Sequence, residues 1–191
     1  MNHAALRIIR AEHEALAAML QSITLLLSHY RRDKLAPDFE LLRAMLFYID
    51  EFPERLHHRK ESQLLFPMLR ERGAPCVDTL DKLDRDHAAG ERAIRSLEHA
   101  LLGWEMLGEP RRETFEVALT NYIDFYRSHM RAEEDIVLPA ALATLDEGDW
   151  RLLDAAFTEN ADPMTGHAPD AVYEALFRRI VNRAPAPIGL G

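Results

Sequence analysis

Apolar residues recur at alternating spacings of three and four along four long stretches of this chain. In the first stretch the repeat begins at Leu6 and Ile9 and continues to Tyr30. Such spacing places the side chains on one face of an α-helix, so each stretch predicts a long amphipathic helix. The stretches are residues 4–31, residues 37–72, about residues 77–107 and about residues 112–145.

Four long amphipathic helices with short connections predict an all-α fold, an antiparallel up-and-down four-helix bundle. The eight glycines are too few for a β-protein with many tight turns. We expect the bundle to occupy residues 1–147 and a C-terminal extension, residues 148–184, to pack on it as short additional helices at 149–159 and 169–182. Those helices either cap the bundle or form the surface of a homodimer. The composition and terminal position of residues 185–191 predict a flexible tail.

Two prolines lie inside the second helical stretch. Pro53 and Pro67 each lack the N–H group that an α-helix needs for its hydrogen bonds. We therefore expect Pro53 to kink the helix and Pro67 to bend or end it.

Charge and cysteine content restrict the partners of the chain. Its 23 Lys and Arg against 32 Asp and Glu give a net charge of −9, whereas nucleic-acid binding needs a basic surface. The single cysteine, Cys76, argues against disulfide scaffolds, cysteine-rich zinc modules and iron–sulfur clusters. No apolar run reaches the roughly 20 residues that span a bilayer, and acidic residues interrupt the N-terminal region where a signal peptide is apolar. We expect a cytoplasmic protein that binds neither nucleic acid nor membranes.

Histidines interrupt the apolar face of every one of the four predicted helices. They are His13, His57, His87 and His129, one on each helix. A glutamate follows three of them by four residues, which places both side chains on one helix face about one turn apart. These glutamates are Glu61, Glu91 and Glu133.

The four histidines are expected at one height in the bundle. His13 precedes the end of its helix by roughly 18 residues, and His57 follows the start of the next helix by roughly 19. At a rise of about 1.5 Å per residue, these two distances along antiparallel helices are nearly equal. The same comparison for His87 and His129 gives roughly 20 and roughly 18 residues. All four imidazoles should therefore meet in one layer of the core.

A single inward histidine is more often a hydrogen-bonded core residue than a metal ligand. Four of them at one height, together with three buried carboxylates, favour a metal site, since burying those acids alone would be costly. Imidazole and carboxylate donors without thiolate suit iron, manganese or zinc. Seven donors exceed the four of a tetrahedral zinc site, whereas two ions that share bridging carboxylates would use them.

Four segments resemble the hemerythrin-like HHE cation-binding family over about residues 3–145. They are EHEAL (12–16), LHHRKESQLLFPML (56–69), RDHAAGE (85–91) and SHMRAEEDIVLP (128–139). The resemblance implies a four-helix bundle around two iron ions with an oxo or hydroxo bridge, with zinc or manganese as substitutes. It also implies terminal ligation by the four histidines and bridging by Glu61 and Glu133.

The chain departs from the oxygen carriers of that family at Glu91, where they have a second histidine. Their final acid is an aspartate five residues after the last histidine, whereas here Glu133 follows His129 by four. We expect Glu91 to be a seventh ligand, and the alternative is a hydrogen-bond acceptor behind the ligands. The change puts simple reversible oxygen carriage in doubt.

Other polar residues near the motifs have ordinary interpretations. A regular helix rotates His58 by about 100° from His57, so we expect it behind the ligands or at the surface. Glu134 is expected in solvent. Tyr126 is expected to pack in the core, with a hydroxyl directed at the metal pocket as the alternative. Nothing marks Cys76 as reactive.

The predicted function is the binding or sensing of oxygen, nitric oxide or peroxide by a di-iron centre. The sequence assigns no catalytic residues. The alternatives are a di-iron enzyme that oxidises or detoxifies such ligands, and an iron storage or delivery protein. A helical bundle with adventitious zinc is the simplest competing interpretation.

Overall fold

The computed structural model describes residues 3–190; Met1, Asn2 and Gly191, which belong to the predicted bundle and tail, lie outside the described residues. Six helices and two short 3₁₀ turns, at Glu109–Arg111 and Pro163–Thr165, account for its secondary structure, and these residues contain no strand. This confirms the all-α fold. The helices are α1 (Ala4–Asp33), α2 (Phe39–Glu71), α3 (Val77–Leu107), α4 (Arg112–Thr144), α5 (Glu147–Thr158) and α6 (Glu174–Arg183).

Helices α2 and α4 are continuous but not uniform. In α2 the segments Asp50–His57 and Glu61–Leu65 are π-helical, and in α4 the segment Glu133–Val137 is π-helical. Pro53 lies within the first of these segments, and Pro67 and Pro139 follow the other two by two residues. Because proline removes a hydrogen-bond donor and collides with the preceding turn, the helix widens locally instead of breaking. Pro67 does not end α2, which continues to Glu71.

Side chains cap the starts of two helices. Asp38 is the N-cap of α2, and its carboxylate accepts a hydrogen bond of 3.0 Å from the backbone N–H of Leu41. Asp146 and Asp149 form a reciprocal capping box at the start of α5. Each cap satisfies backbone donors that have no partner within the helix.

The buried apolar side chains form two separate clusters. One contains Leu16 and Phe52 and continues toward Trp104 and Phe115. The other contains Ile9 and Leu65 and extends to residues of α4 and α5. Along α1 and α2 a polar level divides the two clusters, because His13 lies between Ile9 and Leu16, and His57 lies between Phe52 and Leu65. The apolar packing above and below holds this polar layer in place.

The C-terminal extension packs against α1 and α2. The backbone N–H of Ala5 donates a 2.8 Å hydrogen bond to Asp154 on α5, and the ring of Phe177 on α6 lies 5.4 Å from that of Phe52. Beyond α6 the Ser22 hydroxyl donates to the carbonyl of Pro185 at 3.0 Å, and the N–H of Leu190 donates to Val181 at 2.8 Å. Residues 185–190 are thus hydrogen-bonded to α1 and α6, and the flexibility of this tail stays a prediction from composition.

Within residues 3–190, none of the helices combines the length and the apolar character needed to cross a membrane.

Candidate metal centre

Five histidines and two glutamates form the polar layer between the two apolar clusters. Every one of these side chains is buried, and both glutamates are fully inaccessible to solvent. The layer draws on all four bundle helices, as the matched heights in the sequence predicted. Its members are His13 from α1, His57, His58 and Glu61 from α2, His87 from α3, and His129 and Glu133 from α4.

Glu61 lies between two groups of imidazoles and presents one oxygen to each. Its Oε1 atom is 3.3 Å from Nε2 of His57, and its Oε2 atom is 3.5 Å from Nε2 of His87. A carboxylate with one oxygen on each side of a gap is suited to bridge two cations.

Glu133 repeats this arrangement from the opposite side of the layer. Its Oε2 atom is 3.2 Å from Nε2 of His13, and its Oε1 atom is 3.1 Å from Nε2 of His129. Glu61 from α2 and Glu133 from α4 therefore both lie between the same two groups of histidines. One group contains His13 and His57, and the other contains His87 and His129.

The donor atoms fall into two sets, each close enough to surround one ion. The atoms of the first set lie within 4.8 Å of one another and belong to His58, Glu61, His87 and His129; the second set, within the same limit, belongs to His13, His57 and Glu61. Glu61 is common to both sets, and Glu133 contacts histidines of both.

Hydrogen bonds within the layer leave several buried polar atoms without a partner, and these atoms show whether the layer fits a metal ion. Nε2 of His13, Nε2 of His57 and all four oxygens of Glu61 and Glu133 have no hydrogen-bond partner despite complete burial. Their contacts of 3.1–3.5 Å therefore lack hydrogen-bond geometry. Nε2 atoms of His87 and His129 face each other at 3.1 Å. Buried polar atoms are normally satisfied, so atoms that converge without partners fit coordination of cations.

Hydrogen bonds behind the layer orient the imidazoles. Four of the five rings use Nδ1 in a contact on the outer side, which directs Nε2 toward the centre. The contacts are His13–Glu134 at 2.8 Å, His57–Glu12 at 2.7 Å, His58–Glu54 at 3.1 Å and His87–Ser62 at 2.8 Å. Such outer partners fix the tautomer and the ring orientation of metal-ligating histidines.

Carboxylates of the layer control the protonation of His57 and His87. Burial disfavours the charged imidazolium, but Glu61 outweighs burial and raises the pKa of His57 well above its usual value. Burial is similarly outweighed at His87, where Glu133 and Glu61 raise the pKa to about 9. Burial would raise the pKa of Glu133, yet His129 keeps it well below the usual range. Without a cation the layer therefore holds protons, which a metal ion must displace.

His58 responds in the opposite direction. Burial, followed by repulsion from His87 and His129, lowers the pKa of His58 well below its usual value. Nδ1 of this ring contacts Glu54, so Nε2 of a neutral ring retains a lone pair for coordination.

The model of the hemerythrin HHE cation-binding domain matches residues 4–141 of the chain. This range contains every residue of the polar layer. The chain belongs to the hemerythrin HHE family. No match was found among curated proteins. The buried cluster of histidine and glutamate fits the cation-binding character of the family, and the resemblance seen in the sequence is confirmed.

Of the seven residues predicted as ligands in this hemerythrin-family chain, Glu91 is the one that the structure places elsewhere. Its side chain is 52% exposed and its nearest cation is Arg95, at 3.7 Å. The buried positions of α3 advance from His87 to Gly90 and then to Ile94. Because the inward step after His87 is three residues, the position four residues later turns toward solvent.

His58 enters the layer instead, although a regular helix would have turned it away. The π-helical segment Asp50–His57 ends immediately before it. A π-helix rotates less per residue than an α-helix, so two consecutive histidines both reach the core. The available sequence signal was Pro53 followed closely by Pro67, which places a disturbance of the helix around the histidine pair.

Glu54 connects His58 to two tyrosines in a buried network. The hydroxyls of Tyr122, at 2.7 Å, and of Tyr126 both donate to its carboxylate. The ring of Tyr126 also stacks on His58, with centroids 5.6 Å apart. The Tyr126 hydroxyl therefore serves Glu54, whereas the sequence had offered core packing or a hydroxyl at the metal pocket. Gly90 makes room for this network, since a Cβ there would collide with the Tyr126 hydroxyl.

Glu12 and Glu134 are outer partners that sequence reasoning missed. Glu12 is buried and contacts His57, and Glu134, which we expected in solvent, is half-exposed and contacts His13. Each lies directly beside a residue of the layer in sequence, which was the only signal. Cys76 is buried, and burial raises the pKa of its thiol, so the structure gives it no reactive character.

A small cavity adjoins the side of the layer formed by His13 and His57. Its volume is about 10 Å³, close to that of one water-sized sphere. Apolar walls come from Leu16, Phe52 and Pro53. Glu12, His58 and Asp162 complete its lining.

Proposed function

We propose that this hemerythrin-family protein holds two iron ions in the polar layer and binds oxygen, nitric oxide or peroxide at one of them. Glu61 and Glu133 would bridge the ions. The other ligands would be His58, His87 and His129 on one side and His13 and His57 on the other. Iron suits a mixed set of imidazole and carboxylate donors, and when bound it supplies the capacity to take up such ligands.

The unequal number of donors on the two sides carries this proposal. The side of His87 has three imidazoles and one oxygen from each bridging glutamate, which makes five protein donors. The side of His13 has two imidazoles and two oxygens, which makes four. An octahedral ion has six positions, so the side of His13 keeps more of them free of protein.

The small cavity adjoins this less crowded side. Its volume of about 10 Å³ is close to that of one water molecule, which favours ligands of a few atoms. Leu16, Phe52 and Pro53 keep the lining largely apolar, which favours neutral ligands such as oxygen and nitric oxide. Binding or sensing of a small ligand follows from these two features together.

Turnover of peroxide or nitric oxide at the same centre is the second candidate function. The observation that favours it is the Tyr122–Tyr126–Glu54 network in contact with His58, because buried phenols can supply an electron together with a proton. An open pocket of about 610 Å³ also reaches His58 and His87 from the surface. Reduced protein that consumes many equivalents of peroxide or nitric oxide would favour this candidate over simple binding.

Metal analysis combined with optical spectroscopy tests the proposed function. We expect about two irons per chain, and a visible spectrum that changes on addition of oxygen or nitric oxide. The variant His57→Ala should lose both the iron and the spectral change, because it removes an imidazole from the side with the fewest protein donors. His99→Ala is the matched control, since His99 is exposed on α3 and lies away from the layer. A single zinc per chain, or unchanged iron in His57→Ala, would refute the proposal.

A further inference from the structure

The turn after α5 brings two buried polar residues to the polar layer from outside the region that matches the family. The match ends at residue 141, whereas Asn160 and Asp162 lie in the connection between α5 and α6. Both side chains are buried, at 6% and 3% exposure. Polar side chains are seldom buried in a surface connection without a specific reason.

Asn160 contacts a residue that lies directly behind the layer. Its Nδ2 group donates to both carboxylate oxygens of Glu12, at 2.9 and 3.0 Å. Glu12 in turn contacts Nδ1 of His57 at 2.7 Å. Asn160 therefore acts on His57 through Glu12 and is a positioning residue.

Asp162 lines the small cavity next to His13 and His57. Its carboxylate accepts hydrogen bonds from the Tyr48 hydroxyl at 2.7 Å and from the backbone N–H of Met164 at 2.8 Å. Within residues 3–190 no arginine or lysine forms an ion pair with it. Two donors fix the carboxylate, and burial raises its pKa to about 6, so the group carries its negative charge above that pH.

An uncompensated carboxylate in a cavity of this size affects any ligand that enters. It repels a small anion across a few ångströms of poorly screened space. A neutral molecule is not repelled, and one that carries a proton can donate a hydrogen bond to it. The rest of the lining consists of the apolar Leu16, Phe52 and Pro53, the imidazoles of the layer, and Glu12. The Glu12 carboxylate already has His57 and Asn160 as partners.

We propose that Asp162 determines the ligand specificity of the centre by excluding small anions from the cavity and admitting neutral diatomic molecules or neutral peroxide. This inference rests on the proposed function. Tyr48 and Met164 position the carboxylate, and the extension thus completes a ligand site that the four-helix bundle alone leaves without this wall.

Substitution of Asp162 in the iron-loaded full chain tests the proposal with two probes. Azide is titrated into oxidised protein and nitric oxide into reduced protein, and both are followed by the visible spectrum. We expect Asp162→Asn to bind azide about tenfold more tightly or better, because the repulsion is lost. Its affinity for nitric oxide should stay within about twofold of the parent, because that ligand has no charge.

Three further variants separate the charge from other effects. Asp170→Asn makes the same charge change at an exposed position of the extension and should leave both affinities unchanged. Tyr48→Phe removes a hydrogen bond from Asp162 but keeps the carboxyl group, so azide should still be excluded at a pH well above 6, where that group is ionised. Asp162→Ser is the second neutral variant if Asp162→Asn does not fold, and iron content and the thermal midpoint of the metal-free protein are recorded for each.

The possible results distinguish this inference from the function beneath it. Equal azide affinity in the parent and in the neutral Asp162 variants would overturn the role of Asp162. The same conclusion would follow if Tyr48→Phe gained as much azide affinity as Asp162→Asn. Failure of the iron-loaded parent to bind nitric oxide at all would instead overturn the proposed function, and this inference with it.

Discussion

Gly90 is the position where one added methyl group should disturb the centre most. It lies in the interior of α3, and a Cβ built on it would collide with the Tyr126 hydroxyl and lie 3.0 Å from both carboxylate oxygens of Glu54. The substitution Gly90→Ala must therefore push Tyr126 away from Glu54, which is the partner of His58.

The expected magnitude follows from three terms. Alanine in a helix interior is favoured over glycine by about 0.5–1 kcal/mol. Overpacking of a buried site costs about 1–3 kcal/mol, and loss of a hydrogen bond to a charged acceptor costs about 1.5–3 kcal/mol. We expect a net destabilisation of about 3 kcal/mol, which corresponds to a thermal midpoint about 6–12 °C lower for a chain of this size.

Thermal unfolding of the metal-free protein measures this effect, and α3 provides the matched control. Gly103 lies in the same helix, but a Cβ there would meet nothing within 4 Å. Gly103→Ala should therefore raise the midpoint by about 1–4 °C through helix propensity alone.

A second substitution tests the proposed cause. Tyr126→Phe removes the atom with which the new Cβ collides, so Gly90→Ala should be less destabilising in that background by about 1 kcal/mol or more. The reasoning is refuted if Gly90→Ala is as stable as Gly103→Ala, or if Tyr126→Phe gives no relief.

Three further predictions concern the metal centre. His58→Ala should lower the iron affinity, measured by competition with a chelator, while Glu91→Ala leaves it unchanged; equal losses would contradict the assignment of His58. Ser62→Ala should weaken metal affinity about 10-fold to 100-fold by releasing the ring of His87, as measured by competition with a chelator. The raised pKa of His87, about 9 against 6.5 for a free histidine, stabilises the metal-free fold fully below pH 6.5, and this contribution is lost as pH rises through about 9. Metal affinity should rise across the same window as protons cease to compete, and a flat profile between pH 6.5 and 9 would exclude that role.

Local patterns in the sequence predicted most of the fold and of the polar layer. The repeat of apolar residues at three and four identified the four bundle helices. The same phase placed His13, His57, His87 and His129 inside at one height. Glu61 and Glu133 were found because a spacing of four places two side chains on neighbouring parts of one helix face. The same spacing misplaced Glu91, because the inward step after His87 is three residues.

The exchange between His58 and Glu91 was beyond such patterns. A π-helical segment changes the phase of α2 by a fraction of a turn, which brings His58 inward. In α3 the helix is regular, and Gly90, three residues after His87, is the inward position that Tyr126 and Glu54 approach closely, so Glu91 turns toward solvent. The first effect follows from the prolines within α2, whereas the second depends on neighbours that are distant in sequence.

The sequence by itself therefore determined an all-α hemerythrin-family bundle and a core layer of histidines and glutamates, because helical periodicity is a local property of the chain. Only the tertiary structure decided which donors meet, where the small cavity lies and that Asp162 forms part of its wall. Asn160 reaches Glu12 across 148 positions of sequence, and Tyr48 reaches Asp162 across 114. Contacts of that range arise from packing of the extension against α1 and α2, which the spacing of residues within one helix does not encode.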